Sequence, residues 1–537
     1  GWGISLFGGK VLGSVTTTLN GALLDDTAGT GGSGTTINVA STTGFPSSGT
    51  NYIQVGNEEI SYTGVTSTSF TGITRAVRNS TRSGHSNGAT VTNTSSWTGW
   101  GSAAANTDKV TDPGLWSLDN LGSKLIALIH NSAVFEWDAD LANATATRAT
   151  IISGAPTASR DMLVSTPDRH LVLFGTETTI GTTSSQDDMF IRFSDQEDIN
   201  TWAPTAENTA GTQRLAAGSK IMGAKLGRNA IYVWTDTSLF TMRFVGQPFT
   251  FAYEQVGTNC GLIGMNAAAE VDGAAYWMSE NGFFRFTGKL ESMDCLVEDY
   301  VYNDLNTTSN QLIYCGINNL FGEVMWFYPT STSNIVDRSV VYSYLDSTPQ
   351  RPIWYTNAST ILRRTTWQDS SVFGLPHATE YDADTDTSFD VTGNTDGISY
   401  YFEHETGVNY IKNATTYAVP ANITSGDYDI TQKIIRGAAT SLADLRGDGE
   451  NIMRVSRIIP DYITQQGTTI IQLDLRDYPN DSSASSSLGP FSTTSSTTKI
   501  DTRARARAIA LTLSCTAIDS NWKLGTFRLD IHAGGRR

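Results

Sequence analysis

Short apolar and β-branched runs, separated every few positions by Gly, Asn, Asp or Ser, fill most of the chain. Such runs are typical of strands, whereas an amphipathic helix repeats its apolar positions at spacings of three and four. One short helix is predicted over residues 297–309, where that spacing is found at Val297, Tyr300, Val301 and Leu305. The pattern therefore predicts an all-β fold.

A strand–turn–strand unit recurs along the middle of the chain. Three of the units show the full pattern of an apolar strand, a polar turn and a second apolar strand. The units lie at 124–138, 170–195, 230–244, 274–288 and 323–345, and a further apolar run follows at 398–407. Their period of roughly 45 to 60 residues is close to the blade length of a β-propeller. We predict an irregular β-propeller-like body, with a pair of β-sandwiches as the alternative.

Glycine-rich segments divide the chain into four predicted parts. A Gly-Trp-Gly tripeptide at residues 1–3 returns at 99–101, and a glycine tract at 29–34 precedes a compact set of short strands. About 60 residues suffice for a small independent β domain. The predicted parts are an N-terminal segment of the body (1–30), an inserted small β-barrel or β-sandwich module (31–95), the propeller-like body (96–425) and a C-terminal β domain that closes or docks onto the body (426–537).

Charge and hydropathy narrow the class of partner. The 537 residues include 36 basic and 53 acidic ones, which gives a net charge of -17. Proteins that read nucleic acid need a basic surface, whereas an acidic wall suits a channel through which DNA slides. No apolar run reaches the roughly 18 residues that a membrane span needs. The glycine-rich start lacks the pattern of a signal peptide. We therefore expect no membrane span and no sequence-specific binding of DNA.

Patterns that would indicate an active site are weak. The six histidines are scattered, and neither a Gly-x-Ser-x-Gly elbow nor a His-Glu-x-x-His motif occurs. The four cysteines fit no zinc or redox spacing, and we interpret them as buried apolar side chains in a reducing compartment, with a disulfide as the alternative. The closely spaced acidic residues at 187–188 and 195–198 are interpreted as turn and strand-edge residues. We predict no catalytic residue, no cofactor and no metal ligand.

Two further motifs leave alternatives open. Asp382, Asp384 and Asp386 begin like a calcium loop, but Thr387 and Gly393 stand where the loop needs Gly and Glu. A solvated acidic loop is favoured there over a weak calcium site. The Arg-Gly-Asp tripeptide at 446–448 is interpreted as an exposed turn.

Arg503, Arg505 and Arg507 alternate with alanines near the end of the chain. Alternate residues of a strand point to the same face, so the spacing predicts three guanidinium groups in one stripe. The stripe is either a solvated face or a contact that pairs with carboxylates of a neighbouring subunit, at an interface or a channel lumen.

Several long segments follow one another along the chain: GLWSLDNLG (114–122), FSDQEDINTWAPTAENTAGTQRL (193–215), IYVWTDTSLFTMRFVGQPFTFAYEQVGTNCGLIG (231–264), YWMSENGFFRFTG (276–288), VEDYVYNDLN (297–306) and WKLGTFRLDIHAGGRR (522–537). In this order they resemble a family of structural proteins of short-tailed bacteriophages, variously called tail nozzle, tail hub or tail stabilisation proteins. The resemblance covers roughly residues 110–537 and the N-terminal Gly-Trp-Gly segment.

The resemblance implies a propeller-like body and a ring of six copies attached beneath a tail adaptor. It also implies that the ring gates the exit of double-stranded DNA and helps to anchor tail fibres. The expected location is the virion tail, assembled in the host cytoplasm, and the family has no catalytic residues to carry over. A receptor-binding or glycan-degrading tail protein is the alternative function.

Overall fold

The computed structural model describes residues 15–25, 36–78, 80–95, 115–140, 149–357, 363–382, 398–412, 414–430, 451–478 and 483–535. Within these ranges the regular elements are almost all β-strands, in antiparallel sheets. This confirms the predicted all-β class. Both Gly-Trp-Gly tripeptides and the glycine tract at 29–34 lie outside the described residues.

A small module forms the N-terminal part of the described chain. Its sheets have the strand orders β1-β7-β3-β4 and β2-β6-β5, and they enclose a core that includes the fully buried Ile37, Ile53 and Phe70. The strands are β1 (Thr16–Thr18), β2 (Thr36–Asn38), β3 (Asn51–Val55), β4 (Glu58–Tyr62), β5 (Gly64–Val65), β6 (Ser69–Thr71) and β7 (Thr90–Asn93).

The module begins earlier in the chain than the predicted boundary at residue 31. Strand β1 pairs with β7, and Leu19 and Leu23 are buried in the module core. Residues 15–25 therefore belong to the module and not to an N-terminal segment of the body. The glycine tract marked the wrong boundary because it separates two strands of one module instead of two domains.

A buried carboxylate ties the loop after β6 to the module. The side chain of Glu58 is fully buried, and it accepts hydrogen bonds from Arg75 Nε at 2.8 Å, His85 Nε2 at 2.9 Å and the Ser83 backbone N–H at 3.2 Å. Burial alone would raise the pKa of Glu58. The hydrogen bonds from His85, Arg75 and Ser83 outweigh burial and lower this pKa from 4.5 to about 2.

We expect the module to lose stability as the pH falls from 4.5 to about 2. Because the pKa of Glu58 is lower in the folded state, its contribution is complete above the unfolded pKa and is lost as the pH falls through the folded one. The difference between the two pKa values corresponds to about 3 kcal/mol. Hydrogen exchange of peptides from β3 and β4, corrected for intrinsic rates, measures this loss. Glu58→Gln should remove the acid sensitivity and the exposed Glu254→Gln should keep it; equal acid sensitivity in Glu58→Gln and the wild type would contradict the assignment.

In the described residues of the body, the strands form six consecutive sheets. The first sheet contains β8 (Trp116–Leu121), β9 (Lys124–Ile129), β10 (Val134–Asp138) and β11 (Thr150–Ile151), and the second contains β12 (Asp161–Ser165), β13 (His170–Phe174), β14 (Phe190–Phe193) and β15 (Gly211–Arg214). The third sheet contains β16 (Ile221–Leu226), β17 (Ile231–Thr235), β18 (Ser238–Gly246) and β19 (Thr250–Thr258), and the fourth contains β20 (Ala268–Val271), β21 (Ala274–Ser279), β22 (Gly282–Phe286) and β23 (Leu290–Ser292). The fifth sheet contains β24 (Tyr314–Asn318), β25 (Glu323–Tyr328), β26 (Arg338–Ser343) and β27 (Trp354–Asn357), and the sixth contains β28 (Thr366–Gln368), β29 (His377–Asp382) and β30 (Ile398–Glu403). A hairpin of β31 (Asn409–Lys412) and β32 (Thr415–Ala418) follows.

These sheets are arranged as propeller-like blades. Each is a meander in which sequential strands pair, and the first strand of each sheet contacts the first strand of the next, from β8 through to β28. Asp161 of β12 joins three of these strands, because it accepts hydrogen bonds from Ser117 Oγ of β8 at 2.6 Å and from the Ala224 N–H of β16 at 3.1 Å. The predicted propeller-like body is confirmed.

Buried tryptophans attach neighbouring sheets to each other. Trp277 of β21 donates its indole N–H to the Cys260 carbonyl at 2.9 Å, and Trp326 of β25 donates to the Ala267 carbonyl at 3.0 Å. Both carbonyls lie in the connection between the third and fourth sheets. Each indole therefore holds its sheet to this connection both by hydrophobic burial and by a directional hydrogen bond.

The two ends of the blades can be told apart by contacts between their turns. In a meander, the turns after the first and third strands lie at one end, which we call the odd-turn side. The Asn319 N–H, after β24, donates to Asp369 Oδ2, after β28, at 2.7 Å. Thr250 Oγ1, at the start of β19, donates to the Thr209 carbonyl, before β15, at 3.0 Å. Odd turns of adjacent sheets therefore meet on one side of the body.

The predicted helix at 297–309 is only partly formed. Helix α1 covers Glu298–Tyr302, and a separate 3-10 helix covers Thr307–Leu312. Asn306 separates them because its backbone is extended and its side-chain oxygen accepts a hydrogen bond from the Thr308 N–H at 3.0 Å. Another short 3-10 helix lies at Thr183–Ser185.

The C-terminal domain is a β-sandwich. Its sheets have the orders β33-β39-β36-β37 and β38-β34-β41, with a separate β35–β40 pair. Alternate residues of β36 and β38 are buried in one core, including Ile471, Leu473 and Ala504. The domain includes residues 421–424, before the predicted start at 426, because β33 pairs with β39. The strands are β33 (Ala421–Thr424), β34 (Met453–Ile459), β35 (Tyr462–Gln466), β36 (Thr469–Arg476), β37 (Ser486–Thr493), β38 (Ile500–Ala506), β39 (Ala508–Cys515), β40 (Asn521–Leu524) and β41 (Arg528–Ala533).

Candidate interaction surface

A row of basic side chains crosses the outer face of the β38-β34-β41 sheet. Arg454 of β34 is directly opposite Arg505 of β38 on one side and His532 of β41 on the other. All three are exposed, as is Arg503 two positions before Arg505. Directly opposite residues in antiparallel strands share a face, with Cβ atoms about 4.5–5.5 Å apart. We call Arg454, Arg503, Arg505 and His532 the cationic row.

The neighbouring row of the same sheet is neutralised. Arg457 is opposite Asp501 and Asp530, and it forms ion pairs with them at 2.9 Å and 3.5 Å. Lys499 also contacts Asp501, at 3.1 Å. By contrast, no described carboxylate forms an ion pair with Arg454, Arg503 or Arg505. Like charges directly opposite each other destabilise a sheet, so the cationic row is an unfavourable surface for an isolated chain and a favourable one for an anionic partner.

The predicted stripe of three arginines is only partly observed. Arg503 and Arg505 share the exposed face of β38 as expected. Arg507 does not continue the stripe, because β38 ends at Ala506 and β39 begins at Ala508 in the other sheet. It is partly buried at this corner, where its backbone N–H donates to the Arg476 carbonyl at 3.1 Å. Sequence reasoning missed Arg454, whose position beside Arg505 depends on the strand order.

Exposed apolar side chains collect on the odd-turn side of the body. Phe249 and Val372 are 78% and 85% exposed. Clusters of this kind commonly mark contact surfaces. Eight large apolar side chains are exposed at this side, two of them at the end of β18 and the others on turns: Phe244, Val245, Phe249, Leu320, Phe321, Leu345, Val372 and Phe373.

The closely spaced acidic residues at 187–188 and 195–198 form ion pairs and hydrogen bonds within the fold. Asp187 pairs with Arg214 Nε at 2.7 Å and Asp188 with Arg160 Nη1 at 3.1 Å. Glu197 forms an ion pair with Arg169. Asp195 and Asp198 accept hydrogen bonds from nearby backbone N–H groups and threonine hydroxyls. They are not gathered as an acid–base pair.

His404, which lies between Glu403 and Glu405, packs against Trp367 with ring centroids 4.4 Å apart. Burial, followed by the charges of Arg364 and His377, lowers the pKa of His404 to about 3. Its Nε2 therefore accepts the hydrogen bond that Arg364 Nε donates at 2.8 Å. The side chain is a neutral packing residue.

Other motifs give no assembled site in the described part of the chain. Asp384 and Asp386, and the Arg-Gly-Asp tripeptide at 446–448, lie outside the described residues, while Asp382 is at the end of β29. No group of three His, Cys, Asp or Glu side chains is placed to hold a metal within the described ranges. The helices of these ranges include none long and apolar enough to cross a membrane. All four cysteines are free thiols; Cys260, Cys315 and Cys515 are buried, and Cys295 is half-buried.

Comparisons with known proteins give distant similarities. No family model matches the chain, and no curated protein matches it. Among solved structures, it is similar to the computationally designed Ika8 protein (8% identity, TM-score 0.32, covering 73% of this chain and 98% of that one). It is also similar to the dihydro-heme d1 dehydrogenase NirN (9%, 0.30, 64% and 62%) and to BamB from Moraxella catarrhalis (11%, 0.28, 73% and 99%). Similarities at these values assign no function to the chain.

Proposed function

We propose that this chain is a structural virion protein, the nozzle of a short-tailed phage, and that it works by assembling with copies of itself. The observation that carries the proposal is the cationic row, which has no described carboxylate partner within its own chain. A chain of net charge -17 offers an excess of carboxylates to any neighbour. A second copy is therefore an electrostatically complementary partner, and complementarity of this kind sets orientation and register.

The resemblance of residues 110–537 to tail nozzle proteins supplies the rest of the proposal. In it, six copies form a closed ring below the tail adaptor and anchor fibres, and the ring closes the DNA exit until ejection. A contact between different surfaces of identical subunits closes into a ring when its rotation permits. The exposed apolar residues of the odd-turn side suit contacts with the adaptor or fibres. An acidic channel wall would let double-stranded DNA pass without sequence-specific binding.

The location of the protein in the particle tests this function. Virions of the source phage are labelled with antibodies raised against the C-terminal sandwich and imaged by electron microscopy. We expect label at the distal end of the tail. Label on the capsid or along the fibres, with none at the tail end, would contradict the nozzle assignment.

An exposed aromatic group supports receptor binding as the second candidate. The rings of Phe373 and His377 are 4.7 Å apart, and those of His377 and Tyr401 are 5.2 Å apart and nearly parallel. Phe373 and Tyr401 are 56% and 65% exposed, so their ring faces are available to an amphipathic ligand such as a sugar. Binding to a glycan array that is lost in Tyr401→Ala, together with release of reducing sugar from host polysaccharide, would favour this function.

A further inference from the structure

Two glutamates and one asparagine meet at the odd-turn side, between the fifth and sixth sheets. Asn318 ends β24 and is directly opposite Glu323, the first residue of β25. Glu405 follows β30, and its Oε1 accepts a hydrogen bond from Asn318 Nδ2 at 3.1 Å, across 87 positions of sequence. Directly opposite residues of antiparallel strands project to the same face, so Asn318 shares a face of the sheet with Glu323 while its carboxamide contacts the Glu405 carboxylate.

The two carboxylates lack a positive partner. No described Lys, Arg or His forms an ion pair with Glu323 or Glu405. Glu323 is half-buried, and its carboxylate accepts a hydrogen bond from the Tyr355 hydroxyl. Glu405 is exposed. A carboxylate that is partly removed from water is normally paired or bound to a metal.

Asn318 adds an independent indication of a ligand. Its side chain is 2% exposed, and its Oδ1 has no hydrogen-bond partner. The hydrogen bond from Nδ2 to Glu405 fixes the orientation of the amide, and Oδ1 is left as a buried acceptor without a donor. Buried polar atoms are nearly always satisfied by protein, water or an ion.

We propose that Glu323, Glu405 and the amide oxygen of Asn318 bind a calcium ion. The donors are all oxygen, which suits a hard cation, whereas zinc prefers nitrogen and sulfur. Calcium accepts irregular sets of six to eight oxygen ligands completed by water, whereas magnesium demands a near-ideal octahedron. With two carboxylates and an open side at Glu405, the affinity should lie in the weak class of about 10⁻⁴ to 10⁻³ M.

The site would join two blades at the odd-turn side. Asn318 and Glu323 flank the turn that exposes Leu320 and Phe321, and Glu405 follows the last strand of the sixth sheet. A bound calcium ion would therefore hold this turn against the sixth sheet, beside the apolar surface. The inference stands independently of the nozzle function, because it concerns a ligand of the single chain.

Terbium luminescence of the full chain tests the site, since Tb³⁺ replaces Ca²⁺ and is sensitised by nearby aromatic rings such as Tyr355. We expect emission that Ca²⁺ displaces. Glu323→Gln and Glu405→Gln should each weaken Tb³⁺ binding by roughly tenfold or more. Glu254→Gln, which removes an exposed carboxylate of β19, should bind as the wild type does. The Asp384→Asn/Asp386→Asn double variant should also retain the signal; loss only in that variant would place the ion elsewhere and overturn the proposal.

The Asn318→Asp substitution distinguishes two roles for Asn318, that of a calcium ligand and that of a residue that only stabilises the fold. It adds a third carboxylate, so it should lower the melting temperature in chelator and enlarge the increase that Ca²⁺ produces. If Asn318 only stabilises the fold, the melting temperature in chelator should fall but the increase that Ca²⁺ produces should not become larger. The proposal is overturned if Ca²⁺ leaves both the wild-type melting temperature and the Tb³⁺ emission unchanged, or if Glu405→Gln binds Tb³⁺ as tightly as Glu254→Gln.

Discussion

Glu380→Gln should destabilise the sixth sheet and the hairpin after it by about 3–5 kcal/mol, the usual effect of removing one member of a buried ion pair. Glu380 of β29 is 1% exposed; it pairs with the equally buried Arg364 and, at 3.0 Å, with Lys412 of β31. The hydroxyl of Tyr410 contacts the same carboxylate at 3.3 Å. The amide would remove the negative charge that Arg364 and Lys412 share at this buried position. Hydrogen exchange of the β29 and β31 amides measures this loss locally.

Glu291→Gln is the matched control. Glu291 pairs with Arg285 at 2.6 Å, but both side chains are about one-third exposed. Ion pairs at the surface contribute little to stability because water screens them. Equal effects of the two substitutions would show that Glu380 does not hold the hairpin to the sixth sheet.

Trp326→Ala should destabilise the body by about 3–5 kcal/mol, as expected for a large buried aromatic. The side chain is fully buried, and its ring centroid is 4.9 Å from that of Phe283 in the fourth sheet. Its removal opens a cavity between two sheets and also removes one of two hydrogen bonds to the Ala267 carbonyl, which keeps the Met278 N–H as a donor at 3.2 Å. Hydrogen exchange of β20 and β25 should report the loss, because the cavity separates their sheets.

Trp326→Phe is an intermediate substitution, and Tyr417→Ala is the control for loss of an aromatic side chain elsewhere. Phenylalanine keeps most of the packing but removes the indole hydrogen bond, while the Met278 N–H still satisfies the Ala267 carbonyl, so about 1 kcal/mol is expected. Tyr417 lies on the hairpin and is 42% exposed, and its replacement should have little effect on β20 and β25. Similar protection in Trp326→Ala and Tyr417→Ala would contradict the role of the indole as an attachment between sheets.

The sequence pattern predicts the second and third strands of the blades but not outer strands such as β15. Each two-strand unit found in the sequence is the second and third strand of one sheet, and the last apolar run is the third strand of the sixth. Strands such as β17 and β21 are buried along their whole length, so they are continuously apolar. The fourth strand β15, Gly211–Arg214, is mostly exposed. Its residues are polar, and only pairing with β14 makes it a strand.

The candidate sites were less predictable because they depend on strands that are distant in sequence. The spacing of Arg503 and Arg505 is local, and it correctly predicted one exposed face. The position of Arg454 opposite Arg505 follows from the pairing of β34 with β38. Asn318 and Glu405 are brought together by the packing of neighbouring blades. No local pattern records either arrangement.

Native mass spectrometry of the full chain, alone and with the tail adaptor, tests the central claim that the protein works by assembling with copies of itself. We expect a closed ring of identical copies. The ring should be lost in the Arg503→Glu/Arg505→Glu double variant and kept in Arg243→Glu, a single charge reversal at an exposed position of β18. A wild-type chain that stays monomeric under both conditions, or a ring unaffected by the double reversal, would contradict the account.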